Sequence, residues 1–224
     1  DTIKNGTTRS SLSLERSFLG QASPTHILQR GMIAGQLSLD FTTEQIITGA
    51  FEMQGTAGSQ GTVANGNSYD AAPTNLVMSA NVHVGRIAEA GSAVASPNWI
   101  RALQFNLNNN LRPITAVGNV GAVEVGAGEC TVTGTAETYF GSNAMLAKLL
   151  NGTPTNLNAR SSIANQAGNG FEGYVLGLPR VTFTGGSPSA AAKNQDVTLP
   201  LAYQAAMDPL TSAHAILDRF EYFN

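Results

Sequence analysis

Glu52 and Glu137 are the residues that type and spacing place best for chemistry. Each stands three positions after a Thr-Gly pair, Thr48-Gly49 in QIITGAFEMQG and Thr133-Gly134 in CTVTGTAETYFG. Two carboxylates in matched positions suit general acid and base work of the kind that cleaves glycosidic bonds. That chemistry wants a cleft with aromatic walls, whereas Thr, Ser and Ala flank these two acids, so the reading is not an enzyme. The other reactive side chains are scattered. His26, His83 and His214 show no ligand spacing and Cys130 is the only cysteine, which leaves no basis for a zinc site or an intrachain disulfide. Cys130 lies in an alternating run and reads as a small buried hydrophobe. Gly55, Gly58 and Gly61 match no phosphate-cradling pattern and open no helix, and no G-x-S-x-G elbow is present. The N-G-T sequons at Asn5 and Asn151 read as turns. No cofactor or metal is expected.

The elements that carry the two acids are strands. In residues 36–41, Leu37, Leu39 and Phe41 alternate with Ser38 and Asp40. In residues 46–54, Ile47, Gly49, Phe51 and Met53 share one face, and Thr48, Ala50, Glu52 and Gln54 the other. Residues 103–108 set Leu103, Phe105 and Leu107 against Gln104, Asn106 and Asn108. Residues 129–140 set Cys130, Val132, Gly134 and Ala136 against Thr131, Thr133, Thr135 and Glu137. Period two is the mark of a strand with one dry and one wet face. Residues 36–55 and 102–141 thus read as two hairpins of one design, an internal pseudo-repeat. The alternation places Leu37, Leu39, Phe41, Ile47, Phe51, Leu103, Phe105, Leu107 and Val132 toward the core.

Around these hairpins, LSLERSF, NLVMSANVHVG, YVLGLPRVTFTGG, DVTLPLAYQAA and HAILDRFEYF are strand candidates. Pro179 and Pro200 lack a ladder donor and belong at an edge or a bulge. Residues 1–11 read as a flexible arm, and residues 55–74, 110–128 and 158–170 as loops. GSNAMLAKLLNG is the one clear helix, capped by Ser142 or Asn143, striped by Met145, Leu146, Leu149 and Leu150, and closed by Gly152. The expectation is a single mainly β domain over residues 1–224, a sandwich or barrel with two long hairpins and one short helix.

Composition narrows the function. Charged residues make up 12% of the 224, about half of the ~25% usual for a soluble domain, which suggests that much of the surface meets other protein. The net charge is −3, and residues 36–54, 102–108 and 129–140 contain no Lys or Arg. A face of hydroxyls, amides and acids cannot neutralise phosphates, which argues against sequence-specific nucleic-acid binding. No apolar run approaches the ~18 residues of a membrane span, and no signal peptide is evident. Asp1 in place of a starting Met reads as a processed or trimmed chain.

LSLERSF…QRGMIAGQLSLDFTTEQIITGAFEMQG resembles the opening of phage tail tube proteins from long non-contractile tails. LRPITAVGN, TVTGTAETYF, LAKLLNG, LPRVTFTGG and VTLPLAYQA are similar to later blocks of that family in the same order, so the resemblance spans about Ser11 to Tyr222. It implies hexameric rings stacked into a tube, each subunit giving two hairpins to an inner barrel. It implies as partners the chain itself, the tape measure protein and double-stranded DNA, with no membrane, and a place in the virion tail after assembly in the host cytoplasm. Under it Ser38, Asp40, Thr48, Glu52, Gln54, Gln104, Asn106, Thr133, Thr135 and Glu137 line the lumen. The alternative is a monomeric β-sandwich module binding a ligand such as carbohydrate. Such modules display coplanar aromatics, whereas this chain has one Trp, Trp99, which reads as a core or interface plug.

Overall fold

The alternating runs pair into one large antiparallel sheet. The computed structural model describes residues 1–66, 68–72, 74–164, 170–190 and 192–223. In chain order the first half holds β1 (Thr2–Lys4), β2 (Leu12–Phe18), β3 (Thr25–Thr42), β4 (Thr48–Gln54), β5 (Ala57–Gly61), α1 (Ala80–His83), β6 (Val84–Glu89), β7 (Ser92–Ala93) and β8 (Ile100–Asn108). The second holds β9 (Arg112–Thr115), β10 (Ala122–Gly126), β11 (Thr131–Tyr139), α2 (Ala144–Leu150), β12 (Thr155–Ala164), β13 (Gly170–Gly185), β14 (Ser189–Ala190), β15 (Val197–Ala205) and β16 (Ile216–Phe223). The protein is mainly β, with short helices.

Neighbours in the sheet run β2-β3-β8-β11-β15-β13-β12-β6-β7, with β4 added beside β3. The sheet folds back on itself at β15, which pairs with β11 on one side and with β13 on the other. Its two halves therefore face each other across one core. Phe41, Leu103, Phe105, Val132 and Ala136 come from the first half, and Leu157, Leu176, Leu178, Val181 and Phe183 from the second. Helix α2 adds Met145 to this core, while Leu150, expected in the same stripe, is exposed. Asn143 holds the N-cap position without a side-chain bond. Asn98 organises the approach instead, its Oδ1 accepting from Gly141 N (3.0 Å) and Ser142 N (2.8 Å).

The prolines sit where their missing N–H costs nothing. Pro179 falls in the bulge where the β12 register steps from Leu157↔Leu178 to Thr155↔Val181. Pro200 pairs with Glu137 of β11 and, among the described residues, has no strand partner on its other side, between the β13 and β14 registers.

Several segments differ from expectation because pairing supplies strand character that composition hides. Residues 1–11 are not free throughout: β1 pairs with β16, and the Asn5 side chain accepts from His214 N (2.8 Å) and Ala215 N (3.0 Å). The glycine-rich β5 pairs with the first half of β3, opposite β2. Residues 75–85 form a helical turn and the start of β6 rather than one strand. The stretch 110–128 contains the β9–β10 hairpin, and β12 occupies 155–164 where a loop was expected from 158; residues 165–169 lie outside the described residues. Glu15 of β2 ties down the chain after β5. It accepts from Asn65 N (2.8 Å) and the Tyr69 hydroxyl (3.0 Å), and the Asn65 N–H is the main reason its carboxyl is held below the usual range.

Candidate functional site

The pairing of β4, β3, β8, β11 and β15 decides what each side chain faces. Adjacent positions across these strands fall into rungs, and successive rungs point to opposite faces. Thr48, Asp40, Gln104, Thr135 and Ala202 make one rung, and Ala50, Ser38, Asn106, Thr133 and Gln204 another. Between them lies the rung Gly49, Leu39, Phe105, Gly134 and Tyr203. Ser38, Asp40, Thr48, Glu52, Gln104, Asn106, Thr133, Thr135 and Glu137 therefore share the parity of one polar face, with Gln54 at the same parity along β4. The face forms a concavity of about 740 Å³ over the central rungs.

The opposite parity carries the apolar set. Phe41, Leu103, Phe105 and Val132 are buried, and Leu37, Leu39, Ile47 and Leu107 are half-buried against them. Phe51 pairs with Leu37 and so lies on this side of the sheet, yet it is 66% exposed. It is a correction to the expected core: alternation sets the face, and none of the described residues covers Phe51 there.

Both Thr-Gly glycines fall in the one rung through Leu39 and Phe105. A Cβ on Gly49 would stand 2.8 Å from Leu39 Cδ2, and one on Gly134 would meet the Tyr203 ring and hydroxyl. The glycines thus make room for a neighbouring strand's side chain to lie across the sheet. The Tyr203 hydroxyl uses that room to donate to Gln104 O at 2.7 Å, and burial pushes its pKa up. Replacing Tyr203 by Phe is expected to lower the unfolding free energy by about 1 kcal/mol, seen as an earlier urea midpoint; an unmoved midpoint would show that this bond adds nothing.

The rungs also give the two hairpins a twofold relation. Because β4 and β11 run in opposite directions through the rung they share, Glu52 and Glu137 lie three rungs to either side of it. Leu37-Ser38-Leu39-Asp40-Phe41 corresponds in the same way to Leu103-Gln104-Phe105-Asn106-Leu107. The six rungs between the acids amount to about 20 Å, well beyond the ~9.5 Å limit for a carboxylate pair acting on one bond. Within one chain they cannot share a substrate.

Polar side chains on the face bond to one another. The Thr42 hydroxyl donates to Asp40 Oδ1 (2.6 Å), Gln104 Nε2 to Asp40 Oδ2 (3.3 Å), and the Thr135 hydroxyl to Gln104 Oε1 (2.9 Å). Arg101 is the residue that sequence reasoning missed. It sits in the β8 bulge between Ile100↔Thr138 and Ala102↔Glu137, and its Nη1 donates to Glu137 Oε1 at 3.3 Å. One of the two acids is thereby paired.

The remaining reactive groups have structural partners. His26 is buried against Glu15 and Ser17, His83 Nδ1 accepts from Ser79 N, and His214 meets Asn5. Cys130 is half-buried, and that burial pushes its thiol up.

A single-sheet polar face, backed by its own core and built from twofold-related hairpins, is the frame in which a family model reads clearly. The model described as phage tail tube protein matches residues 2–205. The chain belongs to that family. It is a structural tail tube subunit that assembles with its own copies and resides in the virion tail, which sets aside the carbohydrate-binding alternative. Family membership also points away from enzymatic work. No curated protein matches the chain closely enough to add a relative.

Proposed function

We propose that this tail tube subunit forms hexameric rings whose stacked lumen is lined by the polar face of β4, β3, β8 and β11. The observation that supports it is the sharing of one parity by the hydroxyl, amide and acidic side chains of residues 36–42, 48–54, 102–108 and 131–137, with the core on the other side. Double-stranded DNA passes such a wall without sticking, because residues 36–54, 102–108 and 129–140 carry no Lys or Arg and the adjoining Arg101 is paired with Glu137. Before DNA, the same lumen holds the tape measure protein. Assembly takes place in the host cytoplasm.

Ring closure uses the open edge of β4, whose only strand partner among the described residues is β3. An edge strand adds another strand through main-chain hydrogen bonds, and a copy of the same fold is the natural donor. A head-to-tail contact of this kind closes into a ring when the rotation allows.

The lumen lining is tested by reversing its acids. Screening over ~8 Å keeps each carboxylate's field close to the wall, so the acids prevent adhesion and do not drive transport. Virions carrying Glu52→Lys with Glu137→Lys, which also leaves Arg101 without its partner, are expected to assemble normally. Their DNA ejection should slow at least about tenfold at ~50 mM salt and recover toward ~200 mM, as counterion release requires. Wild-type ejection rates at low salt would overturn the lumen assignment.

A further inference from the structure

The hairpin β9–β10 stands apart from the main sheet as a two-stranded unit inserted between β8 and β11. Its root is firmly held. Asn109 donates through N to Gly35 O (2.8 Å) and through Nδ2 to Ala34 O (3.0 Å). Gly128 N donates to Asn109 O (3.1 Å), and Arg9 Nη1 to Val125 O (3.0 Å). Its tip is apolar and bare. Val117 and Val120 are each 105% exposed, and residues 115–123 carry no charge. A rooted turn that holds two valines fully in water is an interaction surface more than a solvated loop.

The matching cavity lies at the other end of the same strands. A cleft of about 270 Å³ is walled by Phe41, Val84, Ile87, Val94, Trp99 and Ile100, with Trp99 more than half exposed. Its two guanidiniums are already engaged, Arg86 with Gly91 O (2.5 Å) and Arg101 with Glu137 (3.3 Å), so an apolar guest meets bonded rather than stranded charge. The hairpin leaves the sheet beyond Asn108, while the cleft takes Ile100 and Arg101 at the start of β8, about 27 Å away along the strand. The root of the knob and the cleft thus sit at opposite ends of β8. Shifting a copy along the strands brings one against the other, and a contact of this head-to-tail type repeats without closing.

We propose that Val117 and Val120 of each ring insert into the Trp99 cleft of a second copy of this chain in the next ring. The proposal rests on the stacked-ring reading and supplies its axial contact. Both valines are wholly exposed, so Val117→Asp with Val120→Asp should leave the fold and the ring intact. Negative-stain images of purified variant are expected to show single rings or short stacks where wild-type protein forms tubes. In a Cys130→Ser background, Val120→Cys with Ala93→Cys, a cleft residue, should give a ladder of cross-linked chains when tubes are oxidised; either cysteine alone should not. Normal tubes from the aspartate pair, or cysteine-pair tubes that oxidise without a ladder, would overturn the proposal. Loss of rings along with tubes would also overturn it, by placing the hairpin within the ring. Should the cysteine pair fail to assemble, the aspartate pair decides alone. If wild-type protein forms no rings, it is the ring reading that fails, and this is seen before any variant is made.

Discussion

Phe51→Asp is expected to yield a folded monomer that no longer joins rings. Phe51 lies on the apolar side of β4, the open edge strand, and is 66% exposed. Around it, Ile47, Leu76, Val77, Ile163 and Tyr174 line an apolar groove of about 390 Å³. An aromatic ring projecting from an edge strand beside an apolar groove has the make-up of an interface anchor, and removing such an anchor costs about 2 kcal/mol or more. That corresponds to roughly 30-fold at each of the contacts a closed ring must make together. A carboxylate there adds the cost of desolvating a charge as the neighbour closes over it. The variant should melt within about 0.5 kcal/mol of the wild type, since an exposed side chain contributes little to folding. Phe105→Asp, at a 2% exposed position of the same parity, should instead fail to fold. Sedimentation and thermal melts separate the two outcomes. Full-sized oligomers from Phe51→Asp would remove this residue from the ring contact.

Gly134→Ala should be the most damaging single-methyl change in the sheet. Its Cβ would fall 2.0 Å from Gln104 O and 2.4 Å from the Tyr203 hydroxyl oxygen. The tyrosine could swing aside only by giving up its own burial, and the carbonyl belongs to a paired strand. Overpacking in a core costs about 1–3 kcal/mol where side chains can yield, and the upper end or beyond applies where backbone must move. Gly85→Ala is the matched control in β6. Nothing lies within 4 Å of its added methyl, and losing unfolded-state freedom should leave stability equal or slightly raised. Urea midpoints for the pair test the comparison. A wild-type midpoint for Gly134→Ala would mean that Tyr203 does not cross the sheet at that glycine.

The hairpin faces were legible because period two leaves little freedom: a slip of one residue would turn Leu39 and Phe105 to water. What alternation does not report is whether a second layer covers the dry side, so Phe51 was placed on the right face and wrongly in the core. β12 hid behind its asparagines, although Leu157, Ala159, Ser161 and Ile163 keep the period and are buried. β5, written AGSQG, has no strand character of its own and is a strand because β3 offers it an edge. Arg101 lies two residues before Leu103, where its alternating run begins. Only the bulge brings it to Glu137, and bulges leave no composition signal here.

The twofold relation between the hairpins bears on travel. A duplex sliding along the proposed lumen would meet nearly the same procession of acid, amide and hydroxyl whether it moved from Glu52 toward Glu137 or back. A wall that reads alike in both senses offers no pawl. It would let cargo advance and retreat with equal ease, and the sense of motion would be set by whatever pushes from the ends. Arg101 is the exception, a marker at one end of the face with no counterpart at the same position of the other hairpin, where Gly35 stands. Its pairing with Glu137 keeps that marker muted, so each proposed ring would have a distinguishable top and bottom without acting as a one-way valve.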